Sequence, residues 1–582
     1  MDNAGIAGII REVGEYIQVD EGLSFRAKAY DRAAETIESL AEPLTETYAR
    51  GGLVALLEIK GIGRGLGDAL EEIITSGVSS LHEELKRALP IDLPALNSVQ
   101  GLGPQKIRAL YKELKVRNLE DLEKAAVGGK IRVLTGFGEK SEEKILRGVE
   151  FLKRGAGRML LGDALPWGRS LEKELLKLKG VRKATLAGSA RRRRETVGDL
   201  DMLVVADEAK PIMDYFIAMP DVEEILANGE TKSAVRLKNG LQVDLRVVPA
   251  ESYGAALNYF TGSRDHNIAL RQIAQDKGLK LNEYGLFRGD VAIAGFTEEG
   301  IYAALELEFV PPELRENSGE VELARESGLP QLVGYSDLCG DLQVQTSWTD
   351  GVHSIDKMAD AAMALGLEYI VVTDHTKRLA MMGGLDEKKI RLQMKEIDAV
   401  NARLVAAGKK FRVLKGSECD ILKDGSLDLP DDVLAELDVV GVSIHSYFDL
   451  PRDKQTARVI KAITNPHADI FFHPTARKIN ARPACDFDMV AVLDAAAQAG
   501  TVMEVDAFPD RLDLSAEHIR MCVSRGVKIA IDSDAHDKAH FSVLEYGIAQ
   551  ARRGWARKED VINAWPVEKM LSMLKGAQSY GK

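Results

Sequence analysis

The stretch Leu186–Val205, LAGSARRRRETVGDLDMLVV, decides the fold of the central part of this 582-residue chain. It predicts one strand that ends at Gly188-Ser189 and a second strand, ten residues after Ser189, that begins with Asp199 and Asp201. Alternate side chains of a strand point to the same face of a sheet. Both carboxylates can therefore bind one divalent cation.

A third predicted strand, LQVDLRVVP (residues 241–249), places Asp244 between similar apolar flanks. Three carboxylates on adjacent strands form a hard-oxygen site suited to Mg²⁺, with water and substrate phosphates as the remaining ligands. Two such ions can support an in-line displacement. The alternative is that Asp199 and Asp201 are the exposed end of a hairpin, but the upstream Gly-Ser and the third strand favour a metal centre.

A pattern of an apolar residue followed by Gly-apolar-Gly and a predicted helix occurs three times in the first 150 residues. The glycine pairs are Gly61/Gly63, Gly101/Gly103 and Gly136/Gly138. Such turns expose backbone N–H groups that can hold a phosphate oxygen without reading base sequence. Plain helix–turn–helix connections with glycine caps are the alternative. The repetition favours binding to a DNA backbone, and the pattern resembles the helix-hairpin-helix motif.

The Gly-Ser…Gly-Asp-x-Asp pattern resembles the nucleotidyltransferase superfamily. YFTGSRDHNIALRQIAQDKGLKLNEYGLF (residues 259–287) resembles the signature of family X DNA polymerases, and PPELRE (residues 311–316) is similar to their bacterial branch. The resemblance covers nearly the whole chain. It implies template-dependent addition of deoxynucleotides to a primer 3′-OH, in gap filling during DNA repair. Mg²⁺ or Mn²⁺ would be the cofactor, with gapped or primer-template DNA and deoxynucleoside triphosphates as partners.

The resemblance also implies a catalytic role for four side chains. Asp199, Asp201 and Asp244 would bind two metal ions, and Asp244 would contact the primer 3′-OH. Arg246 would hydrogen-bond the metal-binding carboxylates.

The same resemblance implies a nucleotide-binding set: Gly188, Ser189, Arg192, Gly198, Tyr259, Phe260, Gly262, Asn267 and Arg271. Ser189, Arg192 and the Gly198 backbone would hold the β- and γ-phosphates, since phosphoryl transfer depends on positioning and charge stabilisation. Tyr259, Phe260 and Gly262 would contact the sugar and limit ribonucleotides. Asn267 would meet the base edge, and Arg271 the template side. The other arginines of the run 191–194 fit either phosphate contacts or a solvated loop.

One position departs from the lyase-competent members of this family. Their helix after the first hairpin carries a lysine that forms a Schiff base with an abasic sugar, and that position falls at Ala69 here. Alanine is not a nucleophile. We therefore expect weak or absent 5′-deoxyribose-phosphate lyase activity.

From about residue 335, apolar strands alternate with Ala-rich helices, which is typical of a β/α barrel. Eight of the ten histidines follow residue 340, and polar residues end the strands, where barrel enzymes carry their sites. This region is similar to the PHP (polymerase and histidinol phosphatase) domain, a seven-stranded barrel with up to three metal ions. Seven of nine expected ligands are present: Asp350, His375, Glu418, His445, His473, Asp534 and His536.

The missing ligands are two imidazoles, because Gln343 and Gln345 stand where the domain normally opens with His-x-His. An amide oxygen is a weak ligand for zinc and similar metals. We expect a depleted site with partial Zn²⁺ or Mn²⁺ occupancy, which puts 3′–5′ exonuclease activity in doubt. Two metal groups would persist, one of Asp350, His375 and His473 and one of Glu418, His445 and His536.

The predicted fold class is multidomain α+β and α/β, with a helical helix-hairpin-helix N-terminal region, a nucleotidyltransferase palm with a thumb, and a C-terminal PHP β/α barrel. The expected domains are residues 1–90 (N-terminal helical, resembling an 8-kDa DNA-binding domain), 91–150 (fingers-like helix-hairpin-helix), 151–250 (palm), 251–315 (thumb), 316–334 (linker) and 335–582 (PHP).

Composition sets limits on the class of protein. The net charge of −13 argues only weakly against nucleic acid, because a basic groove can form on an acidic protein. No apolar run reaches the roughly 18 residues of a membrane span, and the first residues lack the basic and apolar regions of a signal peptide. Four widely spaced cysteines predict reduced thiols and a cytoplasmic protein. We expect a monomer.

Two other functions fit parts of the sequence. One is a non-catalytic DNA-binding scaffold, and the complete aspartate set and YFTGS disfavour it. The other is a nucleotidyltransferase, either with a purely structural PHP domain or acting on a small molecule. The hairpins disfavour the small-molecule form, since such an enzyme has no need to bind DNA.

Overall fold

The computed structural model describes residues 3–21, 25–38, 40, 43–59, 61–97, 99, 102–155, 157–379 and 382–577. The chain divides into two compact units. The first unit is Met1–Ala156 with Lys478–Pro483, and the second unit is Gly157–Arg477 with Ala484–Lys582. Among the described residues, no helix is long and apolar enough to cross a membrane.

Apolar residues three and four apart make the first unit helical, and they bury two clusters, one around Ile10 and Leu70 and one around Leu96 and Ile107. Capping side chains set some helix starts; Asn118, for example, accepts a hydrogen bond from the Asp121 N–H at 2.8 Å. The helices are α1 (Asn3–Glu21), α2 (Phe25–Glu38), α3 (Leu44–Leu57), α4 (Arg64–Ser76), α5 (Ser80–Ala88), α6 (Leu93–Asn97), α7 (Pro104–Leu114), α8 (Leu119–Val127) and α9 (Glu139–Gly155).

The second unit opens with a five-stranded sheet of order β2-β4-β7-β6-β5, in which β4 and β7 are parallel and the other neighbours are antiparallel. A short β1–β3 pair lies beside it. The elements are β1 (Met159–Leu160), α10 (Leu161–Leu176), β2 (Val181–Leu186), α11 (Gly188–Arg191), β3 (Thr196–Val197), β4 (Asp199–Ala206), α12 (Lys210–Ile217), β5 (Val222–Asn228), β6 (Lys232–Leu237) and β7 (Gln242–Val248).

The alternation predicted for β4 sets the orientation of its carboxylates. Leu200 and Met202 are buried, and Leu200 lies close to Gly168 of α10. Asp199 and Asp201 therefore point to the sheet face opposite α10.

The next segment builds a small domain around buried Leu270, Ile301 and Tyr302. Arg315 is fully buried there and donates hydrogen bonds to Glu298 Oε1 at 2.5 Å and to the Val310 carbonyl at 2.9 Å. The elements are α13 (Tyr253–Thr261), α14 (Arg264–Asp276), β8 (Lys280–Asn282), β9 (Gly285–Arg288), β10 (Val291–Ala294), α15 (Glu298–Ala304) and α16 (Glu320–Arg325). Strands β8, β9 and β10 form an antiparallel sheet.

The last part of the second unit is a barrel of seven parallel strands in chain order, β11 to β17. A parallel bridge between Val344 and Ala535 joins the two edges of the sheet. The elements are β11 (Gly340–Val344), α17 (Ile355–Ala364), β12 (Tyr369–Val372), α18 (Glu387–Ala406), β13 (Arg412–Asp420), α19 (Asp431–Leu434), β14 (Val439–Ser443), α20 (Arg452–Ile463), β15 (Ile470–Phe471), α21 (Met489–Ala499), β16 (Val502–Asp506), α22 (Ala516–Arg525), β17 (Ile529–Asp532), α23 (Leu544–Arg553) and α24 (Val567–Ala577).

Ion pairs join the barrel to the five-stranded sheet and its helices. Arg169 of α10 makes a two-pronged pair with Glu545 of α23, both bonds at 2.7 Å. Arg477 donates to Glu195 at 2.7 Å, and the pKa of Glu195 is lowered because this arginine outweighs the effect of burial. Bidentate arginine–carboxylate bonds fix the relative orientation of the two groups that they join. These ion pairs therefore fix the barrel against the five-stranded sheet and its helices.

Candidate active sites

The strand pairing brings the three predicted carboxylates together. Parallel strands β4 and β7 pair so that Asp201 lies beside Asp244, and Asp199 lies beside Gln242. Neighbouring strands are about 4.8 Å apart, and Asp199 shares the face of Asp201. Carboxylates from two adjacent strands therefore lie side by side on one face of the sheet.

The electrostatics of this group fit divalent cations. Burial, followed by the negative charges of Asp199 and Asp244, raises the pKa of Asp201 to about 7. Burial and the Asp244 charge also raise the pKa of Asp199. Mg²⁺ or Mn²⁺ would stabilise the charged forms of Asp199 and Asp201, since carboxylate oxygens are the hard donors that these ions prefer.

Two side chains that the sequence did not single out hold Asp244. Gln242 Nε2 donates to Asp244 Oδ1 at 2.8 Å, and Lys232 Nζ lies 3.0 Å from Asp244 Oδ2. Arg246 packs over the Phe260 ring, 4.5 Å from its centroid, and its charge opposes the rise in the pKa of Asp201. The contact of Lys232 depends on the register of β6 against β7, which no local motif encodes.

Gly188 is required by a close approach. Its φ of +62° lies in the left-handed region, and an added Cβ would overlap Asp201 Oδ2. The turn after β2 is thus packed against the Asp201 carboxylate, and the helix α11 begins there.

A cavity of about 620 Å³ opens beside these carboxylates, and Asp199 and Asp201 line it. All nine residues of the predicted nucleotide-binding set line the cavity: Gly188, Ser189, Arg192, Gly198, Tyr259, Phe260, Gly262, Asn267 and Arg271. Three further lining residues, Arg158, Arg264 and Glu316, were not predicted, and Arg194, which the sequence left open between a phosphate contact and a solvated loop, also lines the cavity. Five arginines in one cavity beside carboxylates suit a polyphosphate that brings its own cations.

The arginines of the run 191–194 have different surroundings. Arg191 is a structural residue, because it donates to Thr261 Oγ1 at 2.6 Å and to both oxygens of buried Glu298, at 2.9 and 2.5 Å. Arg192 faces the cavity, where it donates to the Thr261 carbonyl and to Glu316 Oε1. Neither residue belongs to a freely solvated loop.

Asn267 has an amide oxygen available toward the cavity. Its Nδ2 donates to the Tyr259 carbonyl at 2.7 Å, whereas its buried Oδ1 has no hydrogen-bond partner among the described residues. This fixed orientation favours an acceptor aimed at a ligand.

The three hairpins of the first unit share one backbone turn. The N–H of the apolar residue between the glycines donates to a carbonyl three residues earlier, at 3.0 Å in each copy: Ile62 to Ile59, Leu102 to Val99 and Phe137 to Leu134. The second glycine of each pair, Gly63, Gly103 or Gly138, directly precedes a helix.

The first glycine has a positive φ in two copies, at Gly61 and Gly136, and Gly101 lies outside the described residues. Helices α4 and α7 have no side-chain cap, and α7 begins with Pro104, which has no N–H group. The remaining N–H groups of their first turns suit an anion. Ala69 lies within α4, as expected.

The predicted barrel ligands converge at the mouth of the barrel in two overlapping groups. Asp350, His375 and His536 form one group, and His375, Glu418 and His445 form the other, with all ligand atoms of each group within 4.8 Å of one another. His473 Nε2 lies 2.8 Å from Glu418 Oε1. Asp534 Oδ1 lies 3.8 Å from His536 Nδ1.

The expected assignment of two histidines to these groups was wrong. His536 belongs with Asp350, at 3.3 Å, and His473 belongs with Glu418. The order of strands around the barrel explains the exchange, because β17 closes against β11 and carries His536 next to the loop of Asp350.

The charges at the barrel mouth are strongly coupled. Burial opposes charge on the imidazoles, yet Glu418 raises the pKa of His445 to about 9 and Asp534 with Asp350 raises the pKa of His536 to about 10. These two histidines therefore hold protons that a metal ion would displace. The donor set of imidazole and carboxylate fits Mn²⁺ or Zn²⁺.

The two glutamines behave differently from metal-binding imidazoles. Gln345 Nε2 donates to Glu418 Oε2 at 2.9 Å, the oxygen that also faces His375 Nδ1 at 3.3 Å. Gln343 is fully buried, and neither of its amide atoms has a hydrogen-bond partner among the described residues. The Gln345 amide therefore donates to a Glu418 oxygen that would otherwise be free to bind an ion. The side chains at positions 343 and 345 do not fit an ion that needs imidazole ligands.

Sequence reasoning missed the acidic layer behind these ligands. Asp420 accepts from His445 Nδ1 at 3.2 Å, and Asp374 accepts from Thr346 and Gln393. Asp420 lies two residues after Glu418 on the same strand, so the period of two could have identified it. A carboxylate placed like Asp420 can orient the histidine beside it.

Comparisons with known proteins find matches to several parts of the chain. A model of the DNA polymerase beta thumb matches residues 256–316, a helix-hairpin-helix domain matches residues 1–79, and a SAM-like helix-hairpin-helix tandem matches residues 93–150. A probable phosphatase of Thermoanaerobacter sp. (strain X514) is 29% identical over 221 residues, 36% of this chain and 83% of that protein. A solved ternary complex of Leishmania infantum polymerase beta is 20% identical, with a TM-score of 0.26, and covers 38% of this chain and 97% of its own.

The fold and its two sites define a DNA polymerase of the nucleotidyltransferase type that also carries a PHP barrel. The chain is 36% identical over 579 residues to DNA polymerase/3′-5′ exonuclease PolX of Bacillus subtilis (strain 168). The match covers 99% of this chain and 100% of that protein. The chain therefore belongs to the bacterial family X DNA polymerases, and it is a DNA-directed DNA polymerase.

Proposed function

We propose that this polymerase fills gaps in DNA during repair, by two-metal phosphoryl transfer at Asp199, Asp201 and Asp244. The observation that carries the proposal is the pairing of Asp201 with Asp244 at the edge of an arginine-lined cavity of about 620 Å³. The similarity over the full chain to the Bacillus subtilis DNA polymerase/3′-5′ exonuclease supports it.

The aspartates would hold two Mg²⁺ or Mn²⁺ ions, which when bound would supply activation of the primer 3′-OH and stabilisation of the leaving pyrophosphate. Asp244 would contact the 3′-OH. Gln242 and Lys232 keep its carboxylate in one orientation, which favours in-line geometry. Arg246 would balance the charge of Asp201 from its position over Phe260.

The other cavity residues would bind the incoming nucleotide. Ser189, Arg192 and the backbone at Gly188 and Gly198 would hold the triphosphate, because charge stabilisation and positioning dominate phosphoryl transfer. Tyr259, Phe260 and Gly262 would contact the sugar. Asn267 would use its unpartnered oxygen toward the base, and Arg271 would face the template side.

The partners would be gapped or primer-template DNA and deoxynucleoside triphosphates. The repeated hairpin turns would hold DNA phosphates through backbone N–H groups at the starts of α4, α7 and α9, the helices that follow the glycine pairs. Such contacts tolerate any base sequence, as gap filling requires. The enzyme would act as a monomer in the cytoplasm.

Primer extension on gapped DNA tests the polymerase site. Asp199→Ala with Asp201→Ala should abolish extension while leaving DNA binding intact. Asp207→Ala is the matched control, because Asp207 follows the same strand but is exposed and pairs with Arg182. Extension by the double variant at the wild-type rate would refute the assignment and favour a scaffold.

For the barrel we propose a metal-binding 3′–5′ exonuclease or phosphoesterase module with a depleted site. Asp350, His375, Glu418, His445, His473, Asp534 and His536 would hold the remaining Zn²⁺ or Mn²⁺ ions, which when bound would supply a polarised water for phosphodiester hydrolysis. Gln345 would lower the capacity of the site by occupying a Glu418 oxygen.

Metal analysis and nuclease assays test the barrel. The Gln343→His, Gln345→His double variant should bind more Mn²⁺ and gain Mn²⁺-dependent nuclease activity. Unchanged metal content and activity would contradict a depleted site and favour a purely structural barrel. Lyase activity should be weak or absent, because Ala69 lacks a nucleophile.

A further inference from the structure

Helix α23 of the barrel reaches the wall of the nucleotide cavity through Arg553. Arg553 Nη1 donates to the carbonyl oxygen of Arg192 at 2.8 Å and to Glu316 Oε1 at 3.0 Å. The Arg553 side chain is only 7% exposed, and Glu316 lines the cavity. A residue of the barrel thus contacts two residues of the nucleotide site.

Glu316 shares one oxygen among several arginines. Its Oε1 also accepts from Arg192 Nε at 3.2 Å and lies 3.8 Å from Arg194 Nη1. Burial opposes the charge of this carboxylate, but Arg553, Arg192 and Arg194 outweigh burial, so the pKa of Glu316 is lowered. The cavity therefore contains a carboxylate that is negatively charged at neutral pH.

A lone carboxylate at this place would hinder nucleotide binding. It would repel the triphosphate and would compete with it for the Arg192 guanidinium. The positive charge of Arg553 partly neutralises the negative charge of Glu316. The hydrogen bond from Arg553 to the Arg192 carbonyl also fixes the backbone turn that carries the Arg192 side chain.

We propose that Arg553 is a positioning residue of the polymerase site, through which the barrel keeps Arg192 available to the phosphates of the incoming nucleotide. The proposal rests on the proposed role of Arg192 as a phosphate ligand. It makes the PHP barrel part of the nucleotide-binding site, in addition to its own metal groups.

The adjacent residue supplies a matched control. Arg552, on the same helix, donates to Glu313 Oε1 and to the Val333 carbonyl, both at 2.8 Å. Neither partner lines the nucleotide cavity. Arg552→Ala therefore removes an ion pair between α23 and the residues preceding the barrel without altering the charge of the cavity.

Steady-state extension of a gapped primer tests the proposal, with KM for the nucleotide and kcat measured separately. Arg553→Ala should raise KM about tenfold, because a buried charge-assisted contact is lost, and should leave kcat within about twofold. Arg553→Lys should have a KM for the nucleotide close to that of the wild type, because lysine keeps the positive charge. Arg552→Ala should change KM less than about twofold.

Rescue separates a charge effect from loose packing. If Arg553 acts by neutralising Glu316, adding Glu316→Gln to Arg553→Ala should return KM to within about threefold of wild type. Equilibrium binding of the nucleotide to a complex with a dideoxy-terminated primer should show the same order without chemistry. If Arg553→Ala fails to fold, Arg553→Gln, which keeps a long side chain with a hydrogen-bond donor but has no charge, should still raise KM by several fold, and an unchanged KM would overturn the proposal.

Arg192→Gln distinguishes the two levels of the proposal. A large rise in KM for Arg192→Gln with no change for Arg553→Ala would overturn the role of Arg553 and leave the proposed nucleotide site standing. An unchanged KM for Arg192→Gln would overturn both. Equal effects of Arg552→Ala and Arg553→Ala, without rescue by Glu316→Gln, would show general loosening and refute the charge mechanism.

Discussion

Replacing Asp201 with asparagine should abolish synthesis and stabilise the metal-free protein. Burial and the charges of Asp199 and Asp244 raise the pKa of Asp201 from 3.8 to about 7. At neutral pH and above, the folded protein must keep this carboxylate charged at a cost that the unfolded chain does not have. Asparagine has a similar shape and no charge, so it removes that cost.

The magnitude follows from the shift. About three pKa units at about 1.4 kcal/mol each give an upper limit of about 4 kcal/mol. Solvent reaches the cavity that Asp201 lines, and screening reduces the expected gain to about 1–2 kcal/mol. The sign also predicts a pH window. The cost is absent below pH 3.8, grows as the pH rises toward 7, and is constant above 7.

Urea unfolding followed by tryptophan fluorescence measures this effect. All four tryptophans, Trp167, Trp348, Trp555 and Trp565, belong to the second unit, so their fluorescence reports on the unit that contains Asp201. With EDTA at pH 8, Asp201→Asn should raise the free energy of unfolding, and the gain should shrink toward pH 5.

The control for this measurement is Asp207→Asn, in which an exposed aspartate near the same strand loses its charge. It should change the stability by less than about 0.5 kcal/mol. Mg²⁺ should stabilise the wild-type protein more than Asp201→Asn, since the ion binds the folded carboxylates. An Asp201→Asn variant no more stable than wild type at pH 8 without metal would refute the electrostatic reasoning.

Further predictions concern both sites and the first hairpin. Lys232→Met should lower kcat for extension about tenfold while KM for the nucleotide stays within about twofold, because Asp244 loses an orienting contact. Pre-steady-state extension measures the change in rate. The control is Lys210→Met, which replaces an exposed lysine. Adding Mn²⁺ to the metal-free protein at pH 7.5 should release protons, since His445 and His536 have a raised pKa; a pH indicator in weak buffer detects them, and no release would contradict the coupled barrel site. Ala69→Lys should permit borohydride trapping on abasic DNA only if α4 approaches the sugar, whereas the wild type should give no adduct.

Much of the polymerase site could be predicted because it depends on local patterns. The period of two in β4 and β7 put three carboxylates on one face, and the glycines of the Gly-Ser turn and YFTGS marked places where the backbone approaches the cavity. The nine predicted cavity residues all line it. Polar residues at strand ends likewise indicated side chains that meet at the barrel mouth, since parallel strands bring those ends together.

What could not be predicted depends on contacts between distant segments. Lys232 reaches Asp244 through the register of an antiparallel neighbour, and Glu316 meets Arg553 across 237 residues. Arg191 was left between a phosphate contact and a solvated loop, although it is paired with Glu298. The grouping of His473 and His536 was wrong because it depends on which strands are neighbours around the closed barrel, where β17 lies beside β11.

The central claim is that Asp199, Asp201 and Asp244 share two divalent ions next to the primer terminus. Anomalous scattering from Mn²⁺ in crystals with gapped DNA and a non-hydrolysable nucleotide tests it most directly. Two peaks about 3.5–4 Å apart, one of them bound by all three aspartates, are the expected result. A single peak, or two peaks that Asp244 does not contact, would contradict the account.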